Sequence, residues 1–99
     1  MTHNVDVIPG MVIANAINKR FGGTIEFKTQ LVEGEPQNIG YVIHRGVTIF
    51  EIVDKSETVV EVSRKVGKEP FEMIWRVENY QGTQNELYQA VLREVENWI

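Results

Sequence analysis

The sequence contains no cysteine, which removes thiol nucleophiles, cysteine-based zinc sites and disulfide frameworks from the possible explanations of its function. Only two histidines are present, and neither stands in a short metal-ligand motif such as HExxH. A glycine-rich phosphate loop, the GxSxG nucleophile motif and the dense acidic spacing of a calcium loop are also missing. We therefore expect no cofactor, no metal ion and no covalent catalysis.

Long apolar runs are missing as well, since none approaches the roughly 18 residues that a membrane-spanning helix needs. The first residues lack the basic start and the apolar centre of a secretory signal. Together with the lack of cysteine, this favours a cytoplasmic protein without a membrane partner. A formal net charge of −4 disfavours binding to nucleic acid and other polyanions, unless a local basic patch overrides it.

Apolar residues, by contrast, are plentiful and regularly spaced. The 99 residues, of which 42% are hydrophobic, suit a single domain spanning residues 1–99. Spacings of three and four between apolar residues predict a helix over residues 9–21, and residues 5–8 ahead of it fit either a short strand or an ordered arm. The apolar stripe of this helix comprises Met11, Ile13, Ala14, Ile17 and Phe21.

Alternation of apolar and polar residues predicts five strands, and the turns between them are short enough for an antiparallel meander. The five strands cover residues 24–32, 39–44, 47–53, 58–66 and 71–79. Thr83-Gln84-Asn85-Glu86 then matches a capping box at the start of a C-terminal helix. The apolar stripe of that helix comprises Leu87, Ala90, Val91, Val95 and Trp98. The predicted fold is a two-layer α+β domain, with the N-terminal and C-terminal helices packed on one face of the sheet.

A two-residue turn at Arg45-Gly46 predicts the register of the second and third strands. If His44 lies opposite Val47, Tyr41 faces Phe50 on the side of the sheet that the helices cover. That inner side then carries Phe27, Leu31, Tyr41, Phe50, Val62 and Trp75.

Charge pairing predicts the register of the last two strands. A single alignment sets Lys65 against Glu72 and Glu61 against Arg76 on the outer side of the sheet. A slip of one residue loses both pairs, so we expect this hairpin to form as aligned.

These registers also leave an apolar set on the outer side of the sheet, namely Val42, Val47, Ile49, Val59 and Ile74. A fully solvated face alternates more cleanly, so we predict that something covers it. The alternative is that β-branched residues are favoured in strands even when half exposed. The leading interpretation is a small non-enzymatic protein-interaction or regulatory module, which self-associates as a homodimer or binds a partner through this face or an edge strand.

A second interpretation is binding of nucleic acid or another polyanion by Arg64, Lys65 and Lys68 around the turn between the last two strands. Against it stand the neighbouring Glu69 and Glu72 and the acidic total. A solvated hairpin tip that protects the sheet from aggregation explains the same residues.

A third interpretation is an enzyme that uses His44 with Glu26 or Glu51 as an acid/base pair, since the predicted register sets Glu26 opposite His44. The alternative is an ordinary cross-strand pair on the sheet surface. His3 stands too close to the start of the chain to carry an argument.

Overall fold

In the computed structural model, which describes residues 9–56 and 58–98, two helices pack on one face of a five-stranded antiparallel sheet. The helices are α1 (Pro9–Phe21) and α2 (Gln84–Glu94), and a short 3-10 helix (Val95–Asn97) follows α2. The strands are β1 (Thr24–Val32), β2 (Glu35–His44), β3 (Val47–Asp54), β4 (Val59–Arg64) and β5 (Glu72–Glu78). Their order in the sheet is their order in the sequence, so the predicted two-layer α+β meander is confirmed.

Residues 5–8, which fit either a short strand or an ordered arm, lie outside the described residues, and so does His3. Within the described part of the chain, neither helix has the length and apolarity that crossing a membrane requires.

Helix α1 has the predicted bounds but a wider buried surface than its predicted stripe. Val12 and Ala16 are buried beside the expected Ile13, Ala14 and Ile17. The extra burial arises because α1 contacts α2 as well as β2 and β3. Met11, at the start of the stripe, is instead 42% exposed.

The predicted capping box begins α2. The backbone N–H of Glu86 donates to Thr83 Oγ1 over 3.1 Å, and the backbone N–H of Thr83 donates to Glu86 Oε1 over 2.8 Å. These hydrogen bonds hold the pKa of Glu86 below its ordinary value, because they favour the charged carboxylate. The residues of the predicted stripe that are buried are Leu87, Val91, Val95 and Trp98.

Strands β1 and β2 join in a tighter turn than the sequence suggested. Val32 pairs with Glu35, so only Glu33 and Gly34 form the turn, with φ of 53° and 82°. Two positive φ angles fit the hairpin turn whose twist matches the flanking strands. β2 therefore starts at Glu35, and Phe27 pairs with Gly40.

A β-bulge changes the register between β2 and β3. His44 pairs with Val47 as predicted, but Val42 then pairs with Phe50, which leaves Ile49 as an extra residue. Because one extra residue exchanges the two sides of the strand, Tyr41 faces outward and Val42 faces the core. The predicted pairing of Tyr41 with Phe50 is wrong for this reason.

A second bulge divides the hairpin of β4 and β5. Glu61 pairs with Arg76 as predicted, and Arg76 Nη1 lies 3.0 Å from Glu61 Oε2. Ile74 is then the extra residue, so Arg64 pairs with Glu72. The predicted pair of Lys65 with Glu72 is wrong because the register shifts before it forms.

The core lies between the helices and the inner side of the sheet. Its fully buried strand residues include Val42, Phe50, Ile52 and Val62. Two residues predicted for this side, Phe27 and Leu31 of β1, are 47% and 75% exposed, because the helices mainly cover β2 and β3.

Candidate functional site

The five residues predicted to form an outer apolar surface do not lie on one surface. Val42 is fully buried in the core, and the two bulge residues Ile49 and Ile74 pack against that core. Val47 is 56% exposed beside the turn, so only Val59, opposite Glu78, occupies the outer side of the sheet. The outer positions predicted for Val42, Val47, Ile49 and Ile74 are wrong, while a role of these residues in binding stays a prediction.

The bulges bring a different apolar set to the outer face of the sheet. The strand register places six apolar residues on this face, where they lie beside one another or beside polar residues of the same face: Ile39, Tyr41, Ile43, Val53, Val59 and Met73. Ile39 is only 4% exposed although it lies outside the core cluster, and Met73 is 51% exposed. We call this set the outer apolar face; neither helix covers it.

Tyr41 and Glu51 occupy the centre of the outer apolar face. Tyr41 pairs with Glu26 on one side and with Glu51 on the other, and Lys28 Nζ lies 5.8 Å from the centroid of its ring. Burial raises the pKa of Tyr41, with a further contribution from the charge of Glu51. Burial also raises the pKa of Glu51 itself.

No cation of the described residues forms an ion pair with Glu51. Arg76, the other cation on this face besides Lys28, bridges Glu61 and Glu78 at 3.0 Å each. Glu51 is therefore a half-buried carboxylate without an ion-pair partner in the described part of the chain. Among the described strand residues, five carboxylates oppose two cations on this face, for a net charge of −3: the acidic residues are Glu26, Glu35, Glu51, Glu61 and Glu78.

A cleft of about 260 Å³ opens on the inner side of the sheet beside the start of α1. Its most informative residue is Asp54, whose carboxylate lies so close to Gly10 that a Cβ there would come within 2.6 Å of Oδ1. Burial raises the pKa of Asp54, and a hydrogen bond from the Gly10 backbone opposes that rise. The lining also includes Thr29 and Asn38, whose side chains share a 2.8 Å hydrogen bond, but no histidine.

The basic residues around the turn between β4 and β5 are not gathered into a free patch. The Arg64 guanidinium donates a hydrogen bond to the carbonyl oxygen of Trp98, at the end of the helical layer. Lys65 Nζ lies 5.7 Å from the centroid of the Phe71 ring. Of the three, only Lys68 is exposed. Anion binding by these residues stays a prediction.

The predicted acid/base pair of His44 with Glu26 or Glu51 does not form. The His44 ring lies 5.8 Å from the Phe21 ring, on the side of the helices. Glu26 pairs with Tyr41 instead of His44, and Glu51 lies on the outer face. The shifted registers separate these groups. Within residues 9–56 and 58–98, no three His, Asp or Glu side chains are close enough to hold a metal ion.

Comparison of the chain with protein-family models, with curated proteins and with solved structures finds no match. The described residues form a two-layer α+β fold in which the helices cover one face of the sheet and leave the other face open.

Proposed function

We propose that the protein is a small non-enzymatic interaction module that binds a partner protein through the outer apolar face. The observation that carries the proposal is the pairing of Tyr41 with Glu51 at the centre of a face that neither helix covers. A surface with apolar residues around a few directed polar groups has the composition of a protein interface.

The partner's chemistry follows from the charges. Glu51 is half buried and has no ion pair among the described residues, so a cationic side chain brought against it gains a charge-assisted hydrogen bond. Met73, beyond Ser63 across the sheet, and Val53, two residues along β3, offer apolar area near Glu51. The partner surface that fits is an apolar patch with a basic residue near its centre.

Self-association through this face is the weaker alternative. Two copies would bring two surfaces of net negative charge together, and like charges oppose such a contact. A partner of opposite charge removes that cost and supplies a counter-charge to Glu51.

A photo-reactive amino acid at Met73 tests the proposal in living cells. The matched control carries the same group at Met11, a methionine of similar exposure on the opposite layer, at 42% against 51% for Met73. We expect a discrete cross-linked protein at Met73 that is missing at Met11. Once purified, that protein should bind the wild-type chain, with a Kd at least about tenfold weaker for Glu51→Lys.

The exposed Gln89 of α2 supplies the control for binding, since Gln89→Lys adds a positive charge away from the sheet. Its Kd should equal that of the wild type. Equal cross-linking at both methionines, or binding that Glu51→Lys leaves unchanged, contradicts the proposal. If the chain cross-links to itself at Met73, the outer apolar face binds a second copy and not a partner protein.

A further inference from the structure

Within residues 9–56 and 58–98, the edge of the sheet formed by β1 is long, regular and uncovered. β1 has nine residues, pairs with β2 alone among the described strands, and its register runs without a bulge. The opposite edge, β5, has seven residues and carries the bulge at Ile74. A long flat edge offers a row of free backbone donors and acceptors that another strand can bind.

The backbone groups of β1 that face away from β2 follow from the hairpin. In an antiparallel ladder, successive residues direct their N–H and C=O groups to opposite sides of the strand. Val32 and Glu35 flank the two-residue turn and exchange hydrogen bonds, so every second residue from Leu31 backwards directs these groups outward. Those residues are Ile25, Phe27, Thr29 and Leu31.

The side chains at this edge are also incompletely buried. Phe27 is 47% exposed and Leu31 is 75% exposed, although both lie on the inner side of the sheet. On the outer side, neither Glu26 nor Lys28 forms an ion pair among the described residues. The edge therefore combines unused backbone hydrogen bonds, exposed apolar area and two charges of opposite sign.

Symmetry limits how two copies can pair along β1. A two-fold axis through an antiparallel pair makes one residue its own partner, which fixes every other pairing. If that residue is Phe27, Glu26 of each copy lies opposite Lys28 of the other, twice in the interface. Centring on Glu26 or Lys28 sets like charges against each other, and centring on Ile25 or Thr29 leaves both charges opposite uncharged residues.

We infer that β1 pairs with β1 of a second copy about a two-fold axis at Phe27, which joins two sheets into one of ten strands. The two Phe27 residues pair across the axis, and two Glu26–Lys28 pairs form on the outer side. The outer apolar faces of both copies stay open and lie side by side. This inference is independent of the proposed function, because it uses the edge and leaves the face free.

Charge reversal tests the pairing through the mass of the full chain in sedimentation experiments. Glu26→Lys and Lys28→Glu each turn two attractive pairs into repulsive ones, so each variant should dimerise about tenfold more weakly than the wild type. An equimolar mixture of the two variants has opposite charges at every pair. We therefore expect the mixture to recover the wild-type dissociation constant as a heterodimer.

Cross-linking tests the register, because the chain contains no cysteine of its own. Phe27→Cys brings two thiols together at the axis, and a short bismaleimide should join them rapidly. Leu31→Cys is the control, since its two thiols lie eight strand residues, or roughly 27 Å, apart in this register. A register centred on Thr29 sets the two thiols at equal spacing in both variants and makes the two rates similar.

A wild-type chain that stays monomeric at the highest soluble concentration overturns the inference. So does a dimer that the charge reversals and their mixture leave unchanged. Glu51→Lys and Met73→Lys separate the two proposals, because they should leave the β1 dimer intact while weakening binding of the partner protein. If these two variants abolish the dimer and Glu26→Lys leaves it unchanged, the two copies associate through the outer apolar face and the inference is wrong.

Discussion

The Phe27 ring lies across the backbone of Gly40 on the neighbouring strand, so closely that a Cβ at Gly40 would come within 2.9 Å of Phe27 Cε1. Ala14 of α1 lies just beyond, 3.7 Å from the same position. Gly40 thus makes room for an aromatic ring between the edge strand and the first helix, which ties β1 to the helical layer.

Gly40→Ala should lower the free energy of unfolding by about 1 kcal/mol, because the new methyl group displaces the half-exposed Phe27 ring from its place against β2. Urea unfolding measures the effect. In a Phe27→Leu background the same substitution should cost clearly less, since the ring that it meets is gone. Equal costs in both backgrounds would mean that the ring is not what Gly40 accommodates.

Val42→Ala and Val47→Ala distinguish the observed register from the one without a bulge. Val42 is fully buried, so its truncation should cost about 1.5–3 kcal/mol of stability. Val47 is 56% exposed, and its truncation should stay within about 0.5 kcal/mol of the wild type. Chemical denaturation measures the free energy of unfolding of both variants. Similar losses of stability would contradict the bulge at Ile49.

Asp54 and Glu86 should give pH dependences of opposite sign. Burial raises the pKa of Asp54 in the folded chain above 3.8, so its contribution to stability is fully present below pH 3.8 and is lost as pH rises through the folded pKa. Asp54→Asn removes this loss. Relative to the wild type, the variant should therefore gain stability between pH 4 and neutrality in urea titrations at a series of pH values.

Glu86 has a lowered pKa, so its contribution is present above pH 4.5 and is lost as pH falls through the folded pKa. Glu86→Gln should therefore be less stable than the wild type at neutral pH and should approach it in acid. If both variants follow the same trend with pH, the environment assigned to one of these carboxyl groups is incorrect.

The capping box makes Thr83 the residue that starts α2. Thr83→Ala should cost about 1 kcal/mol, because the Glu86 backbone N–H loses its acceptor. Thr83→Ser keeps an acceptor oxygen and should recover most of the loss. Circular dichroism during thermal unfolding measures both variants, and equal destabilisation by Ala and Ser would argue against the cap.

The helices and the order of the strands could be predicted because their signals are local. Pro9 begins α1 and the Thr83 capping box begins α2, as the sequence indicated. The two bulges could not be read from alternation alone, since alternation assumes one residue for each residue of the partner strand. The available signal was an apolar doublet inside each bulged strand, Ile49-Phe50 and Ile74-Trp75.

The outer apolar face was missed for the same reason. Once Ile49 is counted as an extra residue, Tyr41 leaves the core and Val42 enters it. The turn at Glu33-Gly34 was missed because Glu33 adopts a positive φ that glutamate seldom adopts. Because of that turn, Glu26 lies opposite Tyr41 and not opposite His44, so the predicted acid/base pair does not form.

The distribution of contacts along the chain bears on how the molecule assembles. Each strand joins its sequence neighbour through a short connection, which costs little loop-closure entropy. The two helices meet from distant parts of the chain, as the 2.7 Å ion pair between Arg20 and Glu96 illustrates across 76 residues. We therefore expect the hairpins to form before the helices dock, and the helices to undock before the strands separate, an order that amide hydrogen exchange would measure.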